Sequence, residues 1–80
     1  KPTEDSKQND LIATITGLIK EIKVKEGETI NKAQSLVILE AMKMENTLIS
    51  PIDGIVKKIN FKEGDTVLSG DVLIEIKEKN

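Results

Sequence analysis

Cysteine and histidine are both absent from this 80-residue chain. Without cysteine there is no disulfide and no thiolate metal site. Without histidine the usual zinc ligand, the usual general base and any Ser-His-Asp arrangement are gone, and no metal site is expected. Tryptophan and tyrosine are missing too, so Phe61 is the single aromatic residue. The 12 basic residues are all lysine and are outnumbered by 14 acidic ones, for a net charge of −2. With no guanidinium fork, no stacking platform and no basic excess, nucleic-acid binding is disfavoured. No apolar run approaches the roughly 20 residues of a membrane span, and no signal peptide is visible. Direct membrane insertion is therefore not expected, and a cytoplasmic location is. The chain opens on Lys1 rather than Met, as a piece of something longer or a processed chain would.

What remains is a chain of one small domain with a marginal core. Residues 1–10 are polar and aperiodic, with Pro2, and read as a flexible linker or tail. Residues 11–78 read as the folded domain. From Leu11 onward, short runs of Ile, Val and Leu are punctuated by Gly or Asp every eight to twelve residues or so, the spacing of an all-β fold. Strands are expected at Leu11–Ile15, Leu18–Lys25, Thr29–Ile30, Leu36–Glu40, Met44–Ser50, Ile55–Phe61, Thr66–Leu68 and Val72–Lys77. Turns are expected at Glu26-Gly27-Glu28, Pro51-Ile52-Asp53-Gly54, Glu63-Gly64-Asp65 and Ser69-Gly70-Asp71. Phe61 and the aliphatic positions are read as core.

The strongest organising signal is an internal repeat. At an offset of 37 residues Gly17 falls on Gly54, Lys20 on Lys57, Ile22 on Ile59, Lys25-Glu26-Gly27 on Lys62-Glu63-Gly64, Thr29 on Thr66 and Leu36 on Leu73. Composition and turn chemistry alone would not keep both glycines and the Lys-Glu-Gly triplet in register. Two copies of a four-strand unit imply two sheets related by a quasi-dyad over one aliphatic core. The same offset carries Lys43 to Ser6 and to Asn80. It therefore predicts that Lys43 and the chain ends lie at opposite poles.

Between the fourth and fifth strands stands Glu40-Ala41-Met42-Lys43-Met44-Glu45-Asn46. These are helix formers, but the stretch is too short for a stable helix. It reads as a tight hairpin with Lys43 at its tip. A two-residue hairpin loop needs φ > 0 at both central residues and normally takes Asn-Gly or Asp-Gly. Met42 and Lys43 are poor residues there, and a site that breaks the local rule in an otherwise consistent fold is a functional candidate. An exposed lysine is ordinarily a solvated charge, and Met ordinarily fills a core. Here the only two methionines bracket one lysine at an exposed turn.

The motif Glu40-Ala41-Met42-Lys43-Met44-Glu45-Asn46, followed by Ser50-Pro51 and Gly54 and flanked by the two Gly-(Glu/Asp)-Thr turns, resembles the biotin carboxyl carrier domain of biotin-dependent carboxylases. The resemblance covers roughly Leu11 to Lys77. It implies a flattened all-β barrel of two four-stranded antiparallel sheets, with the lysine on an exposed hairpin. It also implies that Lys43 receives biotin in amide linkage from a biotin protein ligase using biotinyl-AMP. Glu40, Ala41, Met42, Met44 and Glu45 match the hairpin positions around the modified lysine that the ligase reads. By the same resemblance the domain is a carrier and not an enzyme. Biotin on it shuttles a carboxyl group between a biotin carboxylase and a carboxyltransferase.

Two positions depart from the family. Ala13-Thr14-Ile15-Thr16-Gly17 lacks the usual Pro, and Ala33 stands where the second copy has Gly70. No insertion separates Gly27 from Leu36, so the thumb loop of some acetyl-CoA carboxylase carriers is missing. A propionyl-CoA, pyruvate or oxaloacetate-decarboxylase type of parent is favoured. The nearest rival is a lipoyl domain, in which Asp typically precedes the lysine and Ala follows it. Another is an unmodified barrel interaction module, as in membrane-fusion adaptors, which lack the bracketed lysine. A catalytic use of Glu63, Asp65 and Asp71 as paired carboxylates is conceivable, but acids at turns read more simply as solvated.

Overall fold

The alternation of aliphatic and charged residues produces eight strands in the computed structural model, which describes residues 9–78. They are β1 Leu11–Ile12, β2 Gly17–Ile22, β3 Thr29–Ile30, β4 Ser35–Ala41, β5 Met44–Ile49, β6 Gly54–Ile59, β7 Thr66–Val67 and β8 Val72–Glu78. Each expected strand is present, but β1 and β2 end three residues earlier than the pattern suggests. The reason lies in the crossings between sheets. Ala13 and Val24 follow the two strand ends and are buried, so the apolar signal runs on after the ladder has stopped. Among the described residues no helix is long and apolar enough to cross a membrane.

The strands form two antiparallel four-stranded sheets in the orders β1-β8-β6-β3 and β5-β4-β2-β7. Moving each strand on by one repeat converts one order into the other. The two copies do not take one sheet each. Every sheet combines two strands of the first copy with two of the second, so neither half closes without the other. The irregularity in register between Ile19 and Glu21 recurs between Val56 and Lys58. The core is built of symmetry mates: Ile19 with Val56, Ile30 with Val67, Leu36 with Leu73, Val37 with Ile74, Leu39 with Ile76 and Leu11 with Leu48 are all buried. Burying each such side chain contributes about 1.5–3 kcal/mol. Phe61 packs against this core from a partly buried position.

The turn acids lock the halves together. The Ile22 N–H donates to Glu63 Oε2 at 3.0 Å, and the Ile59 N–H donates to Glu26 Oε2 at 3.0 Å. Glu63 is thus a structural cap on the other half, not merely a solvated acid. Asp65 and Asp71 act locally, accepting the N–H groups of Lys62 and Leu68.

Of the stretch read as a tail, residues 1–8 lie outside the described residues, as do Ser6 and Asn80. Asp10 accepts the Ile76 N–H on β8 at 3.1 Å. In register, β1 and β8 stand to their sheet as β5 and β4 stand to theirs, so Glu78 occupies in its sheet the place that Ala41 occupies in the other.

Ala33 has φ 72° where its mate Gly70 has φ 97°. The Ala33 N–H donates to Ser50 O and the Gly70 N–H to Ala13 O, so the turn is the same and the alanine is strained. A left-handed non-glycine residue costs about 1–2 kcal/mol, partly offset by the extra unfolded-state entropy of glycine. Ala33→Gly is expected to stabilise the domain by roughly 0.5–1 kcal/mol, read as a higher denaturation midpoint at constant slope. An unchanged midpoint would contradict the strain.

Candidate functional site

Strands β4 and β5 pair Leu39 with Asn46, Glu40 with Glu45 and Ala41 with Met44, leaving Met42 and Lys43 as a two-residue loop. Met42 has φ 52° and Lys43 φ 64°, the left-handed pair that a type I′ hairpin requires. Neither residue is a glycine or asparagine, so the tip stores about 1–2 kcal/mol of strain per residue. The central methionine and lysine both project from the fold. Met42 is 92% exposed and Met44 66%, so neither serves the core. Lys43 is exposed.

The base of the hairpin rests on β2. Leu18 pairs with Glu40 and Ile19 with Leu39. A Cβ on Gly17 would lie 2.6 Å from Glu40 O and 3.3 Å from Ala41 Cβ. Only glycine lets β2 come this close to the strand leading to Lys43. Gly54 has the same role in the other sheet, where a Cβ would lie 2.5 Å from Lys77 O. It opens β6 as a close-packing glycine, and a left-handed turn glycine is found instead at Gly27, Gly64 and Gly70.

Glu40 and Glu45 are directly opposite one another, an unfavourable cross-strand pair of like charges. Lys20 of β2 relieves it. Its Nζ is 2.8 Å from Glu45 Oε2 and 3.9 Å from Glu40 Oε1. The hydrogen bond to Glu45, and then the charges of Glu45 and Glu40, hold the Lys20 ammonium above the ordinary lysine value of 10.5. A raised value means that any stabilisation from this cluster is fully present below the ordinary lysine value. It is lost only as pH rises through the higher one. Among the described residues the other ion pair joins Lys23 to Glu21 at 3.6 Å, and Lys43 belongs to none.

The structure therefore brings Glu40, Ala41, Met42, Lys43, Met44 and Glu45 together on one hairpin. It separates Glu63, Asp65 and Asp71 from that hairpin by assigning them to backbone bonds elsewhere. Among the described residues no cluster of carboxylates is placed to hold a metal ion. Two residues of the hairpin's surroundings escaped the sequence reading, Lys20 and Gly17. Both stood in the repeat alignment, which marks a position but does not say what it touches. Chemically, the hairpin offers an accessible primary amine on a long stem, and the two acids of the same hairpin, Glu40 and Glu45, are engaged by Lys20.

A family model described as biotin-requiring enzyme, of the biotin and lipoyl type, matches residues 7–76. The chain is 44% identical over 79 residues to a pyruvate carboxylase of Staphylococcus aureus, covering 98% of this chain and 7% of that one. It thus spans a small fraction of the length of that relative. Among solved structures, it is similar to part of a single-chain, multi-domain long-chain acyl-CoA carboxylase, with TM-score 0.83, 30% identity, and coverage of 89% of this chain and 7% of the other. It is also similar to the lipoyl domain of the 2-oxoglutarate dehydrogenase complex of Azotobacter vinelandii, with TM-score 0.72, 31% identity, and coverage of 81% and 82%.

Proposed function

This chain belongs to the family of biotin-requiring enzymes as a cofactor-attachment domain, and from that premise we propose that Lys43 carries biotin in amide linkage on its ε-amine. The observation that supports this reading most is the hairpin tip itself: a strained, exposed Met42-Lys43 loop with Met44 beyond it. The residues fit such a group. The amine is accessible and in no ion pair among the described residues, and nothing in the core depends on it. When bound, biotin supplies a ureido nitrogen that accepts and releases a carboxyl group; the chain supplies attachment and reach.

Attachment requires a biotin protein ligase as partner. The amine nitrogen of Lys43 attacks the acyl carbon of biotinyl-AMP, the C–N bond forms, AMP departs and the amine gives up a proton. Carriage of the carboxyl group requires a biotin carboxylase and a carboxyltransferase as further domains or subunits of the parent. Tethering raises the local concentration of the arm at both. The uninterrupted spacing between Gly27 and Leu36 favours a parent of the propionyl-CoA, pyruvate or oxaloacetate type over a thumb-bearing acetyl-CoA type. A cytoplasmic location goes with these partners.

A lipoyl cargo is the alternative, and the fold does not exclude it. Met42 and Met44 argue against it, because a lipoyl hairpin typically has Asp and Ala there. Met42→Asp combined with Met44→Ala is expected to lower the rate of biotinylation by at least about tenfold, equivalent to roughly 1.4 kcal/mol of recognition. The double variant should also become a better substrate for a lipoyl ligase. Rates are to be compared with purified ligases on the folded variant. Unchanged biotinylation would mean that the methionines are not read.

A further inference from the structure

Three strands bring charge to the outer face below Lys43. Glu40 comes from β4, Glu45 from β5 and Lys20 from β2, and they form one cluster. On β2 the neighbouring Glu21 is engaged by Lys23. The next strand, β7, sets Val67 and Thr66 against Gly17 and Leu18 and adds no charge. Lys43 is two residues from Glu45 and three from Glu40, so its flexible stem could fold back onto either acid. Lys20 already occupies both.

The repeat supplies an internal control. Lys57 is the mate of Lys20, yet the mate of Glu40 is Lys77. The other sheet closes with a lysine there, paired with Ile55 of β6. The acid-lysine cluster is therefore not a requirement of the architecture, and it stands in the sheet that bears the Lys43 hairpin.

We infer that Lys20 is a positioning residue for acylation of Lys43: by holding Glu40 and Glu45 in its own ion pairs, it keeps the Lys43 amine free of a carboxylate partner and available as a nucleophile. The inference rests on Lys43 being the acylated residue. An amine attacks an acyl carbon through its unprotonated lone pair. An ammonium group paired with a carboxylate surrenders its proton less readily. Without Lys20, two opposed carboxylates would be left beside one lysine, and they would pair with it.

The test measures the intrinsic reactivity of Lys43 without any ligase. The probe is p-nitrophenyl acetate, which has no charge to be steered. The amine attacks the ester carbonyl, an amide forms, p-nitrophenolate leaves and the amine proton passes to water. Acetylation at Lys43 is followed by peptide mapping from about pH 7 to 10, the range below the ordinary lysine value. Lys20→Ala is expected to slow acetylation at Lys43 by about two- to fivefold at low salt, the scale of an exposed ion pair. Its pH profile should move to higher pH. The difference should shrink near 1 M salt, where screening acts over roughly 3 Å. Lys20→Arg should behave as the parent chain. Adding Glu40→Gln and Glu45→Gln to Lys20→Ala should restore the rate, because the competing acids are gone. An unchanged rate in Lys20→Ala would overturn the inference, and so would a loss that the two glutamines fail to repair. Incubation of the parent chain with biotin protein ligase separates this result from the attachment reading. Absence of label there rejects the cargo, whereas the ester experiment judges Lys20 alone.

Discussion

Lys43→Gly is expected to abolish biotin labelling and at the same time to stabilise the domain by about 0.5–1 kcal/mol. The loss follows from the proposal that the ε-amine is the acceptor, since among the described residues no other lysine stands in a two-residue hairpin loop bracketed by methionines. The gain follows from the backbone. Lys43 sits at φ 64° in the loop, a conformation that glycine adopts without a Cβ clash and that type I′ hairpins favour. Lys43→Ala is the companion variant. It should lose labelling equally while leaving stability close to that of the parent, because alanine keeps the Cβ and hence the strain. Chemical denaturation gives the stability of each variant, and a streptavidin blot after exposure to ligase gives the labelling. Residual biotin on either variant would move the site to another lysine. A Lys43→Gly domain less stable than the Lys43→Ala domain would contradict the strained turn.

Gly17→Ala and Gly54→Ala should destabilise the fold by similar amounts, about 1–3 kcal/mol or more, because each drives a Cβ into a backbone oxygen of a neighbouring strand. Those contacts would be 2.6 Å to Glu40 O and 2.5 Å to Lys77 O. Their consequences for labelling should differ. Gly17 presses on the strand that enters the Lys43 hairpin, so its substitution moves Glu40 and Ala41 and slows the ligase by about tenfold or more, as sub-ångström errors of placement do at reacting groups. Gly54 presses on β8 in the other sheet, and its substitution should leave the labelling rate of the folded protein near normal. Equal effects on labelling would mean that the hairpin responds to global stability and not to its own support.

The candidate hairpin was legible in the sequence because it breaks rules. Met42 and Lys43 lie where a turn needs left-handed residues, and the two methionines lie outside the core. Registered repetition made the quasi-dyad legible as well, down to Ala33 standing where the second copy has Gly70, the position at which the backbone is left-handed. The partnership between halves was hidden. An offset pairs Glu26 with Glu63 and Lys20 with Lys57, but it cannot say that each glutamate caps a strand of the other copy. Nor can it say that β4 lies between β2 and β5 so that Lys20 reaches Glu45. Those are facts of strand order, which depends on long-range pairing and leaves no local pattern. Strand ends at Ile12 and Ile22 were obscured for a related reason: Ala13 and Val24 are buried in the crossings, and burial mimics the strand period.

The most direct measurement is the intact mass of the chain after co-expression with a biotin protein ligase and free biotin, followed by peptide mapping of the adduct. One biotinyl group, located on Lys43 alone, is the result predicted here. A folded domain that gains no biotin, or that carries it on a different lysine, would contradict the assignment of Lys43 as the carrier.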